Sequence, residues 1–262
     1  MTAAALWRLA GEAWARRLRA LPGAEVWLTP RGWLLLSGAP VADLNLAYVA
    51  AGPGAADQLR EFSRLIRARD ASALVLLARA VADELAPLAA GLGLHPAGAT
   101  PLMTYRPAGP GAAPPAAGDY AVRRVTGTND LPAVRRLLAD ANGLPLASLA
   151  RAMPDSVLDV AGTAVFLTRY SDEPVGAATT TATDDGAIVG IWDMATAPAW
   201  QRRGIGRATL AAVMAYHVER GAGLFYLDAT PAGLPLYARA GFRTIEETAV
   251  WVAGASTQFP GS

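Results

Sequence analysis

The chain has 262 residues, which exceeds one ordinary domain, so two domains of about 100–150 residues are expected. Its 53% hydrophobic and 17% charged residues and its net charge of +1 exclude a disordered polyelectrolyte and offer no basic surface for nucleic acid. There is no cysteine and there are only two histidines, His95 and His217, so neither a disulfide framework nor a histidine-built metal site is expected.

Residues at the start alternate apolar positions with Glu12, Arg16, Arg17 and Arg19, which describes an amphipathic helix and not a secretory signal. Leu6, Ala10, Trp14, Leu18 and Leu21 form its stripe. No stretch is long and apolar enough for a membrane span, so a cytoplasmic protein is expected. Residues 25–29 and 32–37 read as a hairpin about Pro30-Arg31, and residues 44–49 as a third strand. Leu59, Phe62 and Ile66 mark a helix, residues 73–77 a strand, residues 81–92 another helix, and residues 100–105 a closing strand. His95, between Leu94 and Pro96, is expected in a turn. Residues 107–118 are a Pro/Ala/Gly tract that can hold neither a helix nor a strand ladder, and they read as a linker. The expected division is therefore 1–106, a linker 107–118, and 119–262.

Past the linker, residues 120–125 read as a strand, and Thr128-Asn129-Asp130 leads into a helix carrying Leu131, Val134, Leu137 and Leu138. Residues 164–168 and 174–181 pair as strands about the turn Ser171-Asp172-Glu173. Residues 187–194 form a β-rich run after Asp184-Asp185-Gly186. A helix begins near Gly204, with Leu210, Val213, Met214 and His217 on one face, and Gly221-Ala222-Gly223 ends it. Residues 224–227 are a compact strand, residues 234–240 a short helix with Gly241 as its C-cap, and residues 244–252 the last strand. The order is β-α-(α)-β-β-β-α-β-α-β, an α+β domain with a mixed central sheet flanked by helices. The first half follows the same order more faintly, which reads as an internal pseudo-repeat. The alternative is two unrelated α/β pieces that share a common alternation.

The stretch that carries chemistry is strand, basic glycine turn, helix: residues 188–196, then Gln201-Arg202-Arg203-Gly204-Ile205-Gly206-Arg207. Glycines at 204 and 206 let a ligand approach the backbone closely. The first N–H groups of the following helix have no intrahelical partner and carry the positive end of its dipole. Together they suit a pyrophosphate, and Arg202, Arg203 and Arg207 add charge at the same spot. A P-loop would need a lysine, and the chain has none. The dinucleotide fingerprint would place Thr209 at its third glycine and Asp228 at a strand end. It fails because Pro198 and its neighbours separate the glycines from the strand they should follow directly.

Gln201-x-x-Gly204-x-Gly206, followed one strand later by Tyr237-Ala238-Arg239-Ala240-Gly241-Phe242, resembles the GCN5-related N-acetyltransferase (GNAT) superfamily over residues 119–255. Over 1–106 the corresponding turn is Ala50-Ala51-Gly52-Pro53-Gly54. No Gln or Arg precedes those glycines and Pro53 removes a donor N–H, so the first half is similar to the degenerate half of tandem members. The resemblance implies a GNAT fold in two tandem copies and acetyl-CoA as acyl donor without a metal. It implies acyl transfer to a primary amine of a small-molecule or peptide acceptor by direct attack in a ternary complex. The chain would act as a monomer with an intrachain pseudo-dimer or as a homodimer. Under the same resemblance, Met194, Ala195 and Thr196 pair with the pantetheine arm as a further strand would. Residues 201–207 hold the pyrophosphate. A bulge in the strand aims a backbone N–H at the thioester carbonyl, and the strands 187–196 and 224–228 splay into the cofactor cleft.

Tyr237 is the candidate general acid for the departing thiolate, with a packing tyrosine as its plain alternative. Asp193 is the candidate base for the acceptor amine and Asp228 the second, although each could be a turn or cap residue. His217, on an apolar helix face, reads as structural. Trp192, Trp200 and Trp251 are either acceptor-pocket aromatics or core. The acceptor side should draw on residues 140–154 and the last strand. The competing function is a non-catalytic acyl-CoA sensor or scaffold.

Overall fold

Thr2 opens the first helix, α1 (Ala3–Leu18), by accepting the Ala5 N–H on its hydroxyl, in a computed structural model that describes residues 1–109 and 120–254. From residue 110 onward, the expected linker lies outside the described residues. Of the stripe expected on α1, Leu6, Ala10 and Leu18 are buried, and Trp14 instead lies under the Arg17 guanidinium, 4.4 Å from the ring centre. Next come the hairpin β1 (Glu25–Thr29) and β2 (Gly32–Leu36), β3 (Asn45–Val49), α2 (Ala55–Ala68), β4 (Ala73–Leu77), α3 (Arg79–Gly91) and β5 (His95–Tyr105). The hairpin register runs from Glu25↔Leu36 to Thr29↔Gly32, leaving Pro30-Arg31 as the turn, as expected.

His95 is not in a turn. The chain reverses at Gly93, where the Gly93 and Leu94 N–H groups close the end of α3 on Ala90 and Ala89, and His95 already begins β5. A residue next to proline favours extended backbone, so His95-Pro96 suits a strand start as well as a turn.

The second half contains β6 (Tyr120–Arg124), α4 (Leu131–Asn142), α5 (Leu146–Ala152), β7 (Thr163–Tyr170), β8 (Glu173–Ala182), β9 (Ile188–Thr196), α6 (Ile205–Val218), β10 (Leu224–Asp228), α7 (Leu234–Arg239) and β11 (Arg243–Ala253). Glu173 starts β8 instead of finishing the turn, and Ser171, at φ 51°, makes the left-handed step.

Two compact units result: Met1–Leu102 with the strand from Thr244, and Met103–Arg243. Strand order in the first is β1-β2-β3-β4-β11-β5 and in the second β10-β9-β8-β7-β6. The last strand, β11, which follows the second half in sequence, is built into the first unit's sheet, antiparallel to β4 from Ala249↔Leu77 to Ala253↔Ala73. Both units are mixed: β3 pairs parallel with β4 and β9 parallel with β10, while β1–β2, β2–β3, β4–β11, β6–β7, β7–β8 and β8–β9 pair antiparallel. Helices cover the sheets, as the α+β reading requires. In the second unit, Leu210 and Met214 of α6 pack with Val189 and Ile191 of β9 and Phe225 and Leu227 of β10.

Candidate active site

The parallel pair β9–β10 is registered through Leu224↔Ile188, Phe225↔Val189 and Tyr226↔Gly190, and stops there although both strands run on, to Thr196 and Asp228. A gap therefore opens between their carboxyl ends. On its other side β9 stays paired with β8, but the register shifts between Ala177↔Ala195 and Thr179↔Trp192, so Ala178 faces both Asp193 and Met194. That two-against-one arrangement is a β-bulge. Asp193 has φ 48°, a left-handed conformation that aspartate tolerates better than most residues. The bulge also resets the alternation of faces. Trp192 donates from Nε1 to the Thr181 hydroxyl at 2.7 Å, and the Asp193 carboxylate accepts the neighbouring Thr179 hydroxyl. Residues 192 and 193 thus share one face of the sheet, and Met194 reaches the opposite, α6-covered face.

Beyond β9 the chain passes a 3₁₀ turn at Pro198–Trp200 and enters α6 through Arg202 at φ 62° and Gly204 at φ 88°. Gly204 is the N-cap and no side chain caps the helix among the described residues. The first helical bond is the Ala208 N–H to the Gly204 carbonyl, so the donors ahead of it project from the helix end. A Cβ on Gly204 would meet nothing within 4 Å. Gly206 is tighter: a Cβ there would lie 3.2 Å from Leu236 Cδ2 and 3.7 Å from Thr196 Oγ1, so its lack of a side chain lets α6 start beside β9 and α7. Gly176 serves the same end from β8: a Cβ there would lie 3.0 Å from Ile205 Cγ2. Gln201, Arg202, Arg203 and Arg207 are exposed, and among the described residues no carboxylate pairs with the three arginines. Arg203 lies 4.8 Å above the Trp200 ring.

Tyr237, on α7, is 9% exposed and packs edge-on to Phe242 at 5.9 Å. Burial pushes its phenol up to about 12, so it keeps its proton at neutral pH. Gly233 leaves room for the ring, since a Cβ there would sit 2.9 Å from Tyr237 Cε2. Two bonds close the helix after it, Gly241 N–H to Ala238 and Phe242 N–H to Tyr237, with Gly241 at φ 93°. The Gly-Phe signature is thus a C-cap that fixes the tyrosine's position.

His217 is buried and pairs through Nε2 with the Thr180 hydroxyl at 2.8 Å, away from the gap, in the structural role expected. Trp192 and Trp251 are buried, while Trp200 lies on the loop beside Arg203 and Tyr170. Arg135 holds α5 and the segment after it through the Met153 carbonyl at 2.7 Å and Asp155 at 2.6 Å. Sequence reasoning missed Tyr120 and Glu173, which reach the same loop from β6 and the start of β8. The Tyr120 hydroxyl donates to the Arg203 carbonyl at 2.8 Å, and Trp200 Nε1 donates to Glu173 at 2.9 Å.

The acetyltransferase (GNAT) family model matches residues 132–242, a span that holds the bulge, the glycine turn and Tyr237. No curated protein matches the chain. Among solved structures, a GCN5-related N-acetyltransferase from Kribbella flavida is similar at 20% identity and TM-score 0.67, covering 98% of this chain and 96% of that one. One from Sphaerobacter thermophilus reaches 19% identity and TM-score 0.61 over 85% of this chain and 76% of its own. A tandem GNAT protein from the clavulanic acid biosynthesis pathway matches at 17% identity and TM-score 0.59 over 97% of this chain and 94% of that one. At these identities the likeness is one of fold, and it runs through both units. Over residues 132–242, the chain is similar to the acetyltransferase (GNAT) family.

Proposed function

We propose that the chain is a cytoplasmic N-acetyltransferase that transfers an acetyl (acyl) group from acetyl-CoA to a primary amine, with the site in the second unit. The observation that carries this reading is the open start of α6: a left-handed Gly204 with nothing over it, beside three arginines that no carboxylate among the described residues neutralises. Backbone donors, a helix dipole and uncommitted guanidinium groups fit a diphosphate, and the gap between β9 and β10 beside them fits an extended arm. Acetyl-CoA, when bound, supplies an activated acyl group as a thioester.

The residues of the chain then divide the work. Arg202, Arg203, Arg207 and the N–H groups from Gly204 onward grip phosphate, with Gln201 and Ile205 shaping the turn. Met194, Ala195 and Thr196 offer strand hydrogen bonds to the pantetheine arm. The bulge turns a backbone N–H of β9 into the gap, where it would stabilise the oxygen that gains charge during acyl transfer. Tyr237 donates its phenolic proton to the departing sulfur. Burial that lifts the Tyr237 phenol to about 12 also lifts a thiol in the same surroundings, so desolvation does not by itself widen the acidity difference between them. Asp193 takes the proton of the acceptor amine, directly or through water.

Thr179 already donates to the Asp193 carboxylate, and this favours a second reading in which the domain binds acyl-CoA without transferring it. One experiment separates the two. Calorimetric titration with CoA should show binding to the wild-type chain and none to Arg203→Glu/Gly204→Asp, and a free-thiol assay over a library of small amines should show turnover that Tyr237→Phe slows. Unchanged CoA affinity in the double variant removes the cofactor assignment. Stabilisation by acetyl-CoA with no thiol released from any amine favours the binding-only reading.

A further inference from the structure

We infer that Tyr120 is a positioning residue for the phosphate-gripping turn: by holding the Arg203 carbonyl, its hydroxyl fixes the direction of the Gly204 N–H. This inference rests on the acyl-CoA reading of that turn. In a trans peptide, the carbonyl of one residue and the N–H of the next point to opposite sides of the same plane. Tyr120 Oη sits 2.8 Å from the Arg203 oxygen, so the Gly204 N–H faces away from Tyr120. The peptide between Arg203 and Gly204 is able to flip on its glycine side. Glycine accepts either sign of φ, and no neighbouring atom lies within 4 Å of a Cβ position on Gly204 to restrict it. A flip would replace the first donor of the run with a carbonyl oxygen, placing a partial negative charge where an anion should sit.

The tie is part of a bracket that reaches the loop from one edge of the second unit's sheet. The Tyr120 and Tyr170 rings are 5.9 Å apart, the Tyr170 and Trp200 rings 5.0 Å apart, and Trp200 is anchored by Glu173. Arg203 closes the row by stacking on Trp200. Its side chain and its carbonyl are thus both held, although the residue, like Arg202 and Gln201, is exposed. Packing alone would hold the rings. The hydroxyl of Tyr120 adds nothing to the ring row, but it is the atom that sets the peptide plane.

Tyr120→Phe tests this, because it keeps the ring beside Tyr170 and removes only the hydroxyl. Losing one hydrogen bond to the loop should weaken CoA about tenfold by calorimetry. ADP, which shares the diphosphate and lacks the pantetheine arm, should weaken by the same factor. The melting temperature of the ligand-free variant should match wild type. Three results overturn the inference: affinities for CoA and ADP equal to wild type, a loss for CoA that ADP does not share, or a loss accompanied by lower ligand-free melting, which marks general loosening. Failure of the wild-type chain to bind CoA is a different outcome, since it removes the acyl-CoA reading itself and this inference with it.

Discussion

Burial pushes the His217 imidazole down to about 4, and the positive charges of Arg220 and Arg124 add to the shift. The ring is enclosed by Tyr216 at 5.0 Å, Phe166 at 6.2 Å and Phe225 at 6.5 Å, and its one polar partner among the described residues is Thr180. At neutral pH it is therefore an uncharged core residue, unsuited to be a base for an amine. In the unfolded chain a histidine titrates near 6.5, so between about 6.5 and 4 the unfolded state binds the proton and the folded state does not. The stability tied to His217 is complete above that window and is lost as pH falls through it. Lowering the pH from 7 to 5 should cost about 2 kcal/mol from this residue alone, most of it above the range where carboxylates titrate. Urea unfolding of wild type and His217→Gln at both pH values checks this: the variant, less stable overall, should show a smaller drop by that amount. Equal pH slopes would mean that another group carries the effect.

At the scale of elements, the parts legible in the sequence were those whose cause is local. Gly241 after Tyr237 announced the C-cap, Gly221 the end of α6, and the two glycines at 204 and 206 the open helix start. The bulge is not a local property, and only the family resemblance led to its expectation. It depends on how β9 is registered against β8, and nothing in Trp192-Asp193-Met194 by itself says that two of these residues face one. The bracket on the glycine turn had no such signal, since Tyr120 and Arg203 are 83 residues apart. Gly190 shows the cost of reading glycines only as turns. It lies inside β9, where a Cβ would come 2.4 Å from Cζ2 of the Trp192 indole, itself 8% exposed and bonded to Thr181. Gly190→Ala must push that ring off its hydroxyl partner, an overpacking cost of about 1–3 kcal/mol. A smaller side chain at 192 relieves the clash, so in denaturant melts the penalty of Gly190→Ala should shrink in a Trp192→Leu background. A penalty that stays the same in both backgrounds would show that the ring is not what the methyl meets.

For the whole molecule, the repeated order of elements was visible in the sequence, but the placement of β11 was not, because a strand's partner is chosen by the sheet it joins and not by its own residues. The two units also differ where a cofactor would matter. In the second, pairing between the parallel strands stops at Tyr226↔Gly190 and leaves a gap. In the first, β3 and β4 pair to their ends at Val49↔Leu77, and the Ala78 N–H closes on the Val49 carbonyl at 3.0 Å, leaving no slot for an extended arm. The start of α2 differs as well. Gly54 caps it in the left-handed conformation, as Gly204 does for α6, but the space beside Gly54 is filled by Arg31, whose Cζ would lie 2.9 Å from a Cβ there, and Pro53 has no N–H to offer. The chain should therefore bind one CoA, in the second unit only. Calorimetry should give a stoichiometry of one per chain, and Arg203→Glu/Gly204→Asp should abolish all of it, while Arg31→Ala, which uncovers Gly54 but cannot part β3 from β4, should add no second site. Two equivalents bound by wild type, or one still bound by the double variant, would place a working cofactor site in the first unit and end the division of roles argued from its closed strands.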